Sequence, residues 1–516
     1  MVAARDKSRQ EREVELKLAF APADAGRLAV SSALAAPVTP PEEHILVSTY
    51  FDTPDFALHR AGVYLRVREN AGRYTQTIKS AKTNAELLER FEWEQEIPRG
   101  IPDLDAARGT ALEPLLTPER RATIRPVFAT RIRRKIFRFA QDGSEIEAAI
   151  DQGEIAASAR TCAVSELELE LKGGAKHALF VLARRFAETV PLRLEMKTKA
   201  ERGYELVQDG GGKAEKATGI EIPPELAAGA AFQAIARNCL RQVVANEPAT
   251  RAGEPESLHQ MRIGLRRLRA AIAVFDNIVG DDEAEKIKAE LKWIARELGP
   301  ARDLHVFAAE VLQPLRASRP SDAGLATANR EIEKSRSEAY SRAAAAIGSD
   351  RFRNFMLDLA AWIETGPWTE GKAGRTGTVA KHAKKELARL RKRVKRKGAD
   401  LRHLSESQRH RLRIRGKRLR YAAEFFAATF SGEGSDKRNA ELVSALKDLQ
   451  DGLGGLNDLA TRRALITGGL AGSASEGAQL AASVGLDETA PQAEALLLKS
   501  EQAFARFAAV KPFWMA

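Results

Sequence analysis

Glu13-Val14-Glu15-Leu16-Lys17 is the stretch on which the interpretation of this chain depends. Side chains of a β-strand alternate between two faces, so the two glutamates and Lys17 point one way and the apolar residues the other. A surface strand of a soluble protein shows the same alternation, with its charges in water. Alone, the stretch does not distinguish a surface strand from one that lines a polar interior.

Several later strands repeat this alternation. Arg66-Val67-Arg68, Glu92-Trp93-Glu94-Gln95-Glu96 and Glu166-Leu167-Glu168-Leu169-Glu170 each place charged side chains on one face. Opposed sets of both signs can satisfy one another or a ligand, whereas a buried set of one sign would be strongly destabilising. The repetition predicts a closed antiparallel β-barrel with a polar interior, whose apolar residues face outward against helices.

The predicted strands carry acidic and basic side chains in matching phase. The carboxylates are Glu13, Glu15, Glu92, Asp151, Glu166, Glu168 and Glu170, and the cations are Lys17, Arg66, Arg68, Lys79, Arg134, Lys197 and Lys199. Clustered carboxylates suit a hard cation such as Mg²⁺ or Mn²⁺, and converging Arg and Lys side chains suit a short chain of phosphates. The set predicts a phosphoryl-transfer site without a Walker-type loop.

Length and charge limit the remaining possibilities. A chain of 516 residues is too long for one core, and its net charge of +12 makes an anionic partner plausible. Two cysteines exclude a disulfide framework and a cysteine-based zinc site. No signal-type segment and no apolar run of about 18 residues is present, so we expect a soluble cytoplasmic protein without a membrane partner.

The second half of the sequence has a different character. A Gly-rich segment at residues 209–219 predicts a flexible link, and from Pro224 onward long Ala-, Leu- and Arg-rich stretches with helical periodicity predict an all-α bundle. The predicted fold class is thus α+β: a β-barrel over residues 1–208, a linker over 209–224 and a helical domain over 225–516.

The helical half contains an internal duplication. Its two copies begin at His259 and His410, and Leu298-Gly-Pro-Ala-Arg-Asp303 corresponds to Leu453-Gly-Gly-Leu-Asn-Asp458. On a helix, spacings of three and four residues share one face, which predicts two basic stripes. These stripes are His259, Arg262, Arg266 and Arg269, and His410, Arg413, Lys417 and Arg420. Such a face can simply be solvated, but a repeated, acid-poor stripe favours a polyanion site.

A further basic segment spans Lys381–Lys397. By itself it is compatible with nucleic-acid binding. It has no aromatic residue for base stacking and no recognised base-reading fold around it. Contact with a phosphate backbone or with polyphosphate is therefore the favoured interpretation, and no specific nucleic acid is expected as a partner.

The first half resembles the CYTH superfamily, the triphosphate tunnel metalloenzymes. The resemblance covers about residues 9–207 and rests on Glu13-x-Glu-x-Lys17 followed in order by Tyr50–Pro54, Val63–Arg68, Gln76–Lys79, Ala149–Gly153, Glu166–Glu170 and Thr198–Tyr204. It implies metal ligands at Glu13, Glu15 and Asp151 and at two of Glu166, Glu168 and Glu170. It implies phosphate-binding cations at Lys17, Arg66, Arg68, Lys79, Arg134 and Lys199, and catalytic roles for Lys17, Glu92 and Asp151.

Two assignments stay open at this point. Strand parity allows either Arg131 with Arg133, or Arg134, to face inward, and the family pattern favours Arg134. The Glu166–Glu170 run holds three carboxylates in phase where two would suffice. The sequence does not say which pair would bind metal.

The second half resembles the CHAD domain over roughly residues 225–510. The resemblance implies binding of inorganic polyphosphate along the two basic stripes, with association with polyphosphate granules as a compatible location. Together the two halves resemble bacterial CYTH–CHAD inorganic triphosphatases, which implies metal-dependent hydrolysis of tripolyphosphate. The alternatives are a polyphosphate sensor with little catalysis, or an enzyme acting on thiamine triphosphate or nucleoside triphosphates or as an adenylate cyclase.

Overall fold

A computed structural model describes residues 9–31, 37–80, 87–141, 143–208, 213–369, 377–465 and 489–515. By contacts between residues, the chain divides into two compact units. The first, β-rich unit comprises residues 1–218, 240–249 and 348–366, and the second, helical unit comprises residues 219–239, 250–347 and 367–516. The α+β class predicted from the sequence is confirmed. The predicted domain limits at residues 208 and 225 stay a prediction.

In the described part of the first unit, nine strands form one antiparallel sheet. They are β1 (Arg9–Ala19), β2 (Glu42–Asp52), β3 (Val63–Asn70), β4 (Arg73–Ser80), β5 (Glu89–Ile97), β6 (Arg125–Gln141), β7 (Ser144–Ala157), β8 (Arg160–Gly173) and β9 (Arg193–Leu194). The order in the sheet is β5-β4-β3-β2-β6-β7-β8-β1-β9.

β1 pairs with both β5 and β8, but it does so with different halves of its length. Residues 9–14 pair with β5, and residues 15–19 pair with β8. This eleven-residue strand therefore bridges β5 and β8, but its pairing with β5 is shifted along the strand relative to its pairing with β8. The prediction of a fully closed barrel is therefore corrected to a nine-stranded antiparallel sheet in which β1 pairs with β5 through one half of its length and with β8 through the other.

Among the described residues up to 208, five α-helices lie in the same unit. They are α1 (Ala25–Ala29), α2 (Ala57–Arg60), α3 (Pro118–Thr123), α4 (His177–Ala187) and α5 (Lys199–Val207). The next helix, α6 (Ala228–Ala245), contributes residues to both units.

The other described helices follow in chain order. They are α7 (Glu247–Arg251), α8 (Pro255–Val274), α9 (Asp276–Val279), α10 (Asp282–Glu297), α11 (Gly299–Phe307), α12 (Gln313–Ser318), α13 (Ala323–Ile347), α14 (Asp350–Thr365), α15 (Val379–Gly398), α16 (Glu406–Phe425), α17 (Glu433–Leu465) and α18 (Thr489–Ala509). A π-helical turn, Ala308–Leu312, joins α11 to α12. No helix among the described residues is long and apolar enough to cross a membrane.

The apolar faces of the strands form the core of the first unit. Leu16 and Leu18 of β1 are 1% and 0% exposed, as the alternation of Glu13–Lys17 predicts. Helix α5 packs on the sheet through Tyr204, whose hydroxyl donates to the buried Asp52 at 2.8 Å and whose ring lies edge-on to Phe128. This packing fixes the start of α5 beside the charged faces of β7 and β8.

Candidate functional sites

Charged side chains of the strands meet on one buried face of the first unit, in a group that we call the strand cluster. Its members are Glu13, Glu15, Lys17, Arg66, Arg68, Lys79, Glu92, Glu94, Arg134, Asp151, Glu166, Glu168, Lys199 and Arg202. They come from β1, β3, β4, β5, β6, β7, β8 and α5. The alternation that predicted a shared polar face is thus realised.

Arg134 stands at one centre of the strand cluster. It donates to both carboxylate oxygens of Asp151, at 2.7 and 2.6 Å, and it also contacts Glu168. Asp151 has 0% exposure. Burial opposes its ionisation, but the charges of Lys199 and Arg134 hold the pKa of Asp151 below its ordinary value. Arg131 and Arg133 are exposed, which resolves the parity question in favour of Arg134.

Lys199 reaches the same carboxylates from the first turn of α5. Its Nζ lies 2.9 Å from Asp151, 2.7 Å from Glu166 and 2.8 Å from Glu168. A capping box between Thr198 and Glu201 starts the helix at this point. Because the helix dipole disfavours a cation at an N-terminus, the carboxylates compensate for this placement. Despite burial, they hold the pKa of Lys199 well above its ordinary value.

Lys17 connects β1 to this centre. Its Nζ lies 3.1 Å from Glu15 and 3.2 Å from Glu168, which is its partner across the β1–β8 ladder. Glu168 is thus surrounded by three cations. Burial acts to raise its pKa, but the charges of Lys17, Lys199 and Arg134 hold the pKa of Glu168 well below its ordinary value.

The other centre of the strand cluster lies on β3, β4 and β5. Arg66 donates to Thr77 at 3.1 Å and to Glu92 and Glu94 at 3.3 and 3.5 Å. Lys79 lies 2.6 Å from Glu92 and 3.3 Å from Glu13. Glu92 therefore holds two cations in place, as expected of an inward acid.

Arg68 differs from the other strand-cluster cations. Its Nε lies 3.4 Å from the Ser48 hydroxyl, and the described residues give it no carboxylate partner within ion-pair distance. Burial, followed by the charges of Arg66 and Arg134, lowers the pKa of Arg68 to about 10. A cation placed among other cations at a partly buried position gains most from an external anion.

Glu13, Glu15 and Glu170 are the carboxylates whose positions best suit a divalent cation. Glu15 and Glu170 face each other across the β1–β8 ladder, and Glu13 shares their face. The side chains of Glu13 and Glu170 keep 20% and 24% exposure, whereas Asp151 and Glu166 keep 0% and 1%. As arranged, no three or more His, Cys, Asp or Glu side chains within the described ranges form a metal-holding group.

The chemistry of this donor set nevertheless fits a hard cation, because it consists of carboxylate oxygens on two paired strands. Burial raises the pKa of Glu170 against the lowering effect of Lys172, and the charges of Glu13 and Glu147 add to the increase. The charge of Glu13 thus disfavours ionisation of Glu170, even though each of these carboxylates also has a lysine partner. A divalent cation would relieve this repulsion.

Three residues differ from the sequence-based set. Lys197, counted among the inward cations, contacts Glu205 and Glu215 at 2.5 and 2.9 Å and lies outside the strand cluster. Glu94 and Arg202 belong to the cluster but were not predicted as site residues. Both could have been identified from the sequence. Glu94 lies two positions after Glu92 and so points to the same face of its strand, and Arg202 lies about one helical turn after Lys199.

A second group of charged side chains surrounds a cavity of about 1320 Å³ in the helical unit, which we call the basic cavity. Its basic lining comes from α8, α10, α11, α15 and α16. These residues are His259, Arg262, Arg266, Arg269, Lys288, Lys292, Arg302, Arg389, Arg393, His410, Arg413, Lys417 and Arg418. The two predicted stripes therefore converge on one space. Six lining residues were missing from the predicted stripes: Lys288, Lys292, Arg302, Arg389, Arg393 and Arg418. Of these, Arg302 lies in the first Leu-Gly segment, and Arg389 and Arg393 lie in the basic segment Lys381–Lys397.

Arg420 is the member of the predicted stripes that does not line the basic cavity. Its guanidinium donates to Glu424 at 2.6 Å and to Gln450 at 3.1 Å. Its position at the far end of the stripe turns it toward α17. The binding role predicted for Arg420 is therefore not favoured by its contacts.

The duplicated Leu-Gly segments place the two arginines of the His-x-x-Arg motifs in equivalent settings. Gly299 lies against the guanidinium of Arg262, with 3.5 Å from an added Cβ to Nη1, and Gly454 lies against Arg413, with 3.3 Å to Nη2. A side chain at either glycine would compete with the arginine for this space. The side chains of Asn457 and Asp458 lie outside the described residues.

Several nitrogen atoms of the basic side chains that line the basic cavity have no hydrogen-bond partner, although Nη1 of Arg262 donates to the Ala295 carbonyl at 3.2 Å. The Nε atoms of Arg262, Arg266 and Arg413 and the Nδ1 atom of His259 are buried without a hydrogen bond.

Burial, followed by the charges of Arg413, Arg266, Arg420 and Arg262, lowers the pKa of Lys417 to about 7.

His259 is not one of the charges at neutral pH. Burial and the charge of Arg302 lower its pKa to about 4. The basic cavity is therefore lined by more cationic than acidic side chains. Its arginines supply most of the positive charge, and the acids of the lining are Asp276, Glu285, Asp303, Glu310 and Glu386.

Comparison with known proteins agrees with both halves. A CYTH domain model matches residues 11–204, and a CHAD domain model matches residues 234–467. Over 198 residues the chain is 30% identical to the inorganic triphosphatase of Haemophilus influenzae, a match that covers 37% of this chain and 54% of that protein. The chain thus matches about half the length of this curated relative.

The second half is similar to a solved structure, the CHAD domain from the plant Ricinus communis. The identity is 30%, the TM-score is 0.51, and the match covers 58% of this chain and 98% of the plant domain. The chain therefore belongs to the CHAD family and carries a CYTH domain ahead of its CHAD domain.

Proposed function

We propose that the β-rich unit hydrolyses inorganic triphosphate with the help of Mg²⁺ or Mn²⁺. The observation that carries the proposal is the strand cluster, in which Arg68 is held among other cations without a carboxylate of its own. The activity named for the Haemophilus influenzae relative supports the same substrate. A linear triphosphate would give Arg68 the anionic partner that the described residues do not provide.

Glu13, Glu15 and Glu170, with Glu168 beside them, are the residues that would hold the metal. Of the three carboxylates in phase on β8, Glu166 is the least suited, because it is 1% exposed and already contacts Lys199 and Arg202. When bound, the metal would neutralise phosphate charge and supply a polarised water. Asp151, predicted as a further ligand, has 0% exposure and accepts from Arg134 and Lys199, so we give it a positioning role.

The cations of the strand cluster would bind and orient the phosphates. Arg68, Arg66, Lys79, Lys17, Arg134 and Lys199 come from separate elements, so a short phosphate chain could be contacted from several sides. Glu92 would orient Arg66 and Lys79 for this purpose. Hydrolysis adds water across the terminal P–O–P bond, and preorganised cations stabilise the charge that develops on the leaving phosphate.

Phosphate release from tripolyphosphate tests this proposal directly. We expect release that requires a divalent metal and exceeds that from thiamine triphosphate and ATP. Arg68→Gln should lower kcat/KM roughly ten- to a hundredfold, because one charge-assisted contact to the substrate is lost. Arg133→Gln, an exposed arginine on β6 beside Arg134, should stay within about twofold of wild type.

Two results would contradict the proposal. The first is tight tripolyphosphate binding without release, which would make the unit a sensor. The second is equal activity of the Arg68 and Arg133 variants. Circular dichroism and melting curves of both variants show whether the fold is retained, and no ion pair within the described residues is removed by Arg68→Gln.

We also propose that the helical unit binds inorganic polyphosphate in the basic cavity. The buried, unpartnered Nε atoms of Arg262, Arg266 and Arg413 support an anionic ligand. A polyanion would satisfy several of them at once, which a single small anion could not do. We expect salt-sensitive binding, because such contacts release counterions.

Binding of short-chain polyphosphate to the full-length protein, measured in EDTA, tests the basic cavity. Arg413→Gln should weaken binding about tenfold or more. Arg411→Gln is the matched control, because Arg411 is exposed on the same helix and does not line the basic cavity. Equal affinity of the two variants would refute the assignment.

A further inference from the structure

The solvent-facing side of α15 carries a row of cations that the basic cavity does not use. Lys381, Lys385, Lys392 and Arg396 are all exposed, and we call them the outer stripe. At 100° per residue they fall within about 60° of the helix circumference, and they extend over about 22 Å along its axis. The opposite side of α15 buries Ala383, Leu387, Leu390 and Val394.

The outer stripe is not explained by the stability of the helix. Within the described residues none of its members makes an ion pair, whereas Arg391 and Lys395 of the same helix donate to backbone carbonyls near the end of α18. The one acid of α15, Glu386, is buried and contacts Arg389. Four like charges along one helix face repel one another, so the stripe weakens the isolated helix.

The outer stripe adjoins the basic cavity. Arg389 and Arg393 line that cavity from α15, and they lie next to Lys385, Lys392 and Arg396 on the helix surface. Basic side chains therefore extend from the cavity wall, over the edge of α15, to its solvent-facing side. An anion longer than the cavity would meet further cations where it leaves.

We propose that the outer stripe is an extension of the polyphosphate site, which engages only chains long enough to emerge from the basic cavity. The inference rests on the proposed binding function of that cavity and adds a dependence on chain length. Single-stranded nucleic acid is a less suitable occupant, because α15 exposes no aromatic side chain for base stacking. The only ring in the helix, His382, is half-buried and stacks on Phe275 at 4.6 Å.

The test compares short-chain and long-chain polyphosphate, bound to the full-length protein in EDTA over a range of salt concentrations. The triple variant Lys385→Gln/Lys392→Gln/Arg396→Gln should bind long chains roughly tenfold more weakly at low salt. Its salt slope for long chains should fall by about two, since three phosphate contacts are lost. Short-chain affinity should remain within about twofold of wild type.

A matched control removes the same charge elsewhere. Arg330, Lys334 and Arg342 are exposed cations of α13 that do not line the basic cavity, and their triple replacement by glutamine should leave long-chain binding unchanged. Equal weakening by both triple variants would overturn the inference, because net charge alone would then explain the effect. Loss of single-stranded DNA binding with unchanged long-chain polyphosphate binding would also overturn it.

The result separates the inference from the function on which it rests. If Arg413→Gln abolishes short-chain binding while the α15 triple variant binds long chains like wild type, only the extension is refuted. If wild type binds neither chain, or if Arg413→Gln has no effect on short-chain binding, the proposed function of the basic cavity fails as well.

Discussion

The arginines of the strand cluster and those of the basic cavity differ in their electrostatic surroundings. Arg134 donates to both oxygens of Asp151 and contacts Glu168, so its charge is compensated within the protein. The Nε atoms of Arg262 and Arg413 are buried without a hydrogen bond. The first setting favours a fixed geometry, and the second leaves binding capacity for an external anion.

The proposed binding of polyphosphate should depend on pH through Lys417. Its pKa is lowered to about 7, first by burial and then by four arginines. Below pH 7 the ammonium is charged and attracts phosphate; above it the neutral amine contributes little. Affinity should therefore fall as pH rises from 6 to 8, and a bound anion should raise the pKa and cause proton uptake.

Binding titrations at pH 6, 7 and 8 in two buffers of different ionisation enthalpy measure both effects. Lys417→Gln should bind more weakly at pH 6 and show a flatter pH profile. Lys437→Gln, an exposed lysine of α17, should retain the wild-type profile. A pH profile unchanged by Lys417→Gln would refute this role.

Single residues show where sequence reasoning ends. Alternation placed Glu15 and Lys17 on a shared face, because successive side chains of a strand point to opposite faces and residues two positions apart point to the same one. The same rule left Arg131, Arg133 and Arg134 undecided, because long β6 carries basic residues in both phases. The pairing of β6 with β7 places Arg134 opposite Asp151, and this register shows which of the three arginines faces inward.

At the scale of elements, α5 brings Lys199 and Arg202 to a site otherwise built by strands. Its approach to the sheet depends on Gly203, because an added Cβ there would lie 2.1 Å from the Phe128 ring. The ring of Phe128 also stacks on the ring of Tyr50, with 4.5 Å between the ring centroids. The ring has little room to move, so the glycine sets the distance between helix and sheet.

Gly203→Ala should destabilise the first unit by about 1–3 kcal/mol through overpacking, although alanine favours helices. It should also lower the proposed triphosphatase activity, because α5 positions Lys199. Gly26→Ala is the control: Gly26 is in α1, and nothing lies within 4 Å of an added Cβ. Thermal melting and phosphate release measure both effects, and a Gly203→Ala protein as stable as Gly26→Ala would contradict this account.

The elements themselves were largely predictable, whereas their pairing was not. Apolar alternation and turn residues indicated the strands, and the Ala- and Leu-rich periodicity indicated the helices. The division of β1 between β5 and β8 depends on register between residues more than seventy positions apart, as in Glu13 with Arg90. Local pattern contains no information on such contacts.

At the scale of the whole molecule, the chain does not divide at one point. Residues 240–249 and 348–366 belong to the β-rich unit although they lie in the second half of the sequence. Helix α14 contacts α4 and β9, and Arg184 donates to Asp358 at 2.7 Å. Composition suggested a simple boundary, because it identifies helices without indicating the unit in which they pack.

A truncated protein of residues 219–516 should therefore be less stable than its composition suggests. Helix α14 would lose α4 and β9, and its apolar surface would become accessible. We expect increased binding of a hydrophobic dye and a lower melting temperature than in the full-length chain. A sharply melting, dye-negative fragment would show that the helical half is independent of this packing.

The pairing of acids with bases in the strand cluster determines what a ligand must do on arrival. Because Glu13, Glu15 and their neighbours already neutralise Lys79 and Lys17, phosphate and metal would enter by partner exchange, each taking over contacts that the protein first makes with itself. The metal would offset part of the triphosphate charge that moves from water into the protein. The affinity of the strand cluster for triphosphate should consequently decrease less with added salt than the affinity of the basic cavity for polyphosphate. In the basic cavity the Nε atoms of Arg262, Arg266 and Arg413 have no hydrogen-bond partner within the protein.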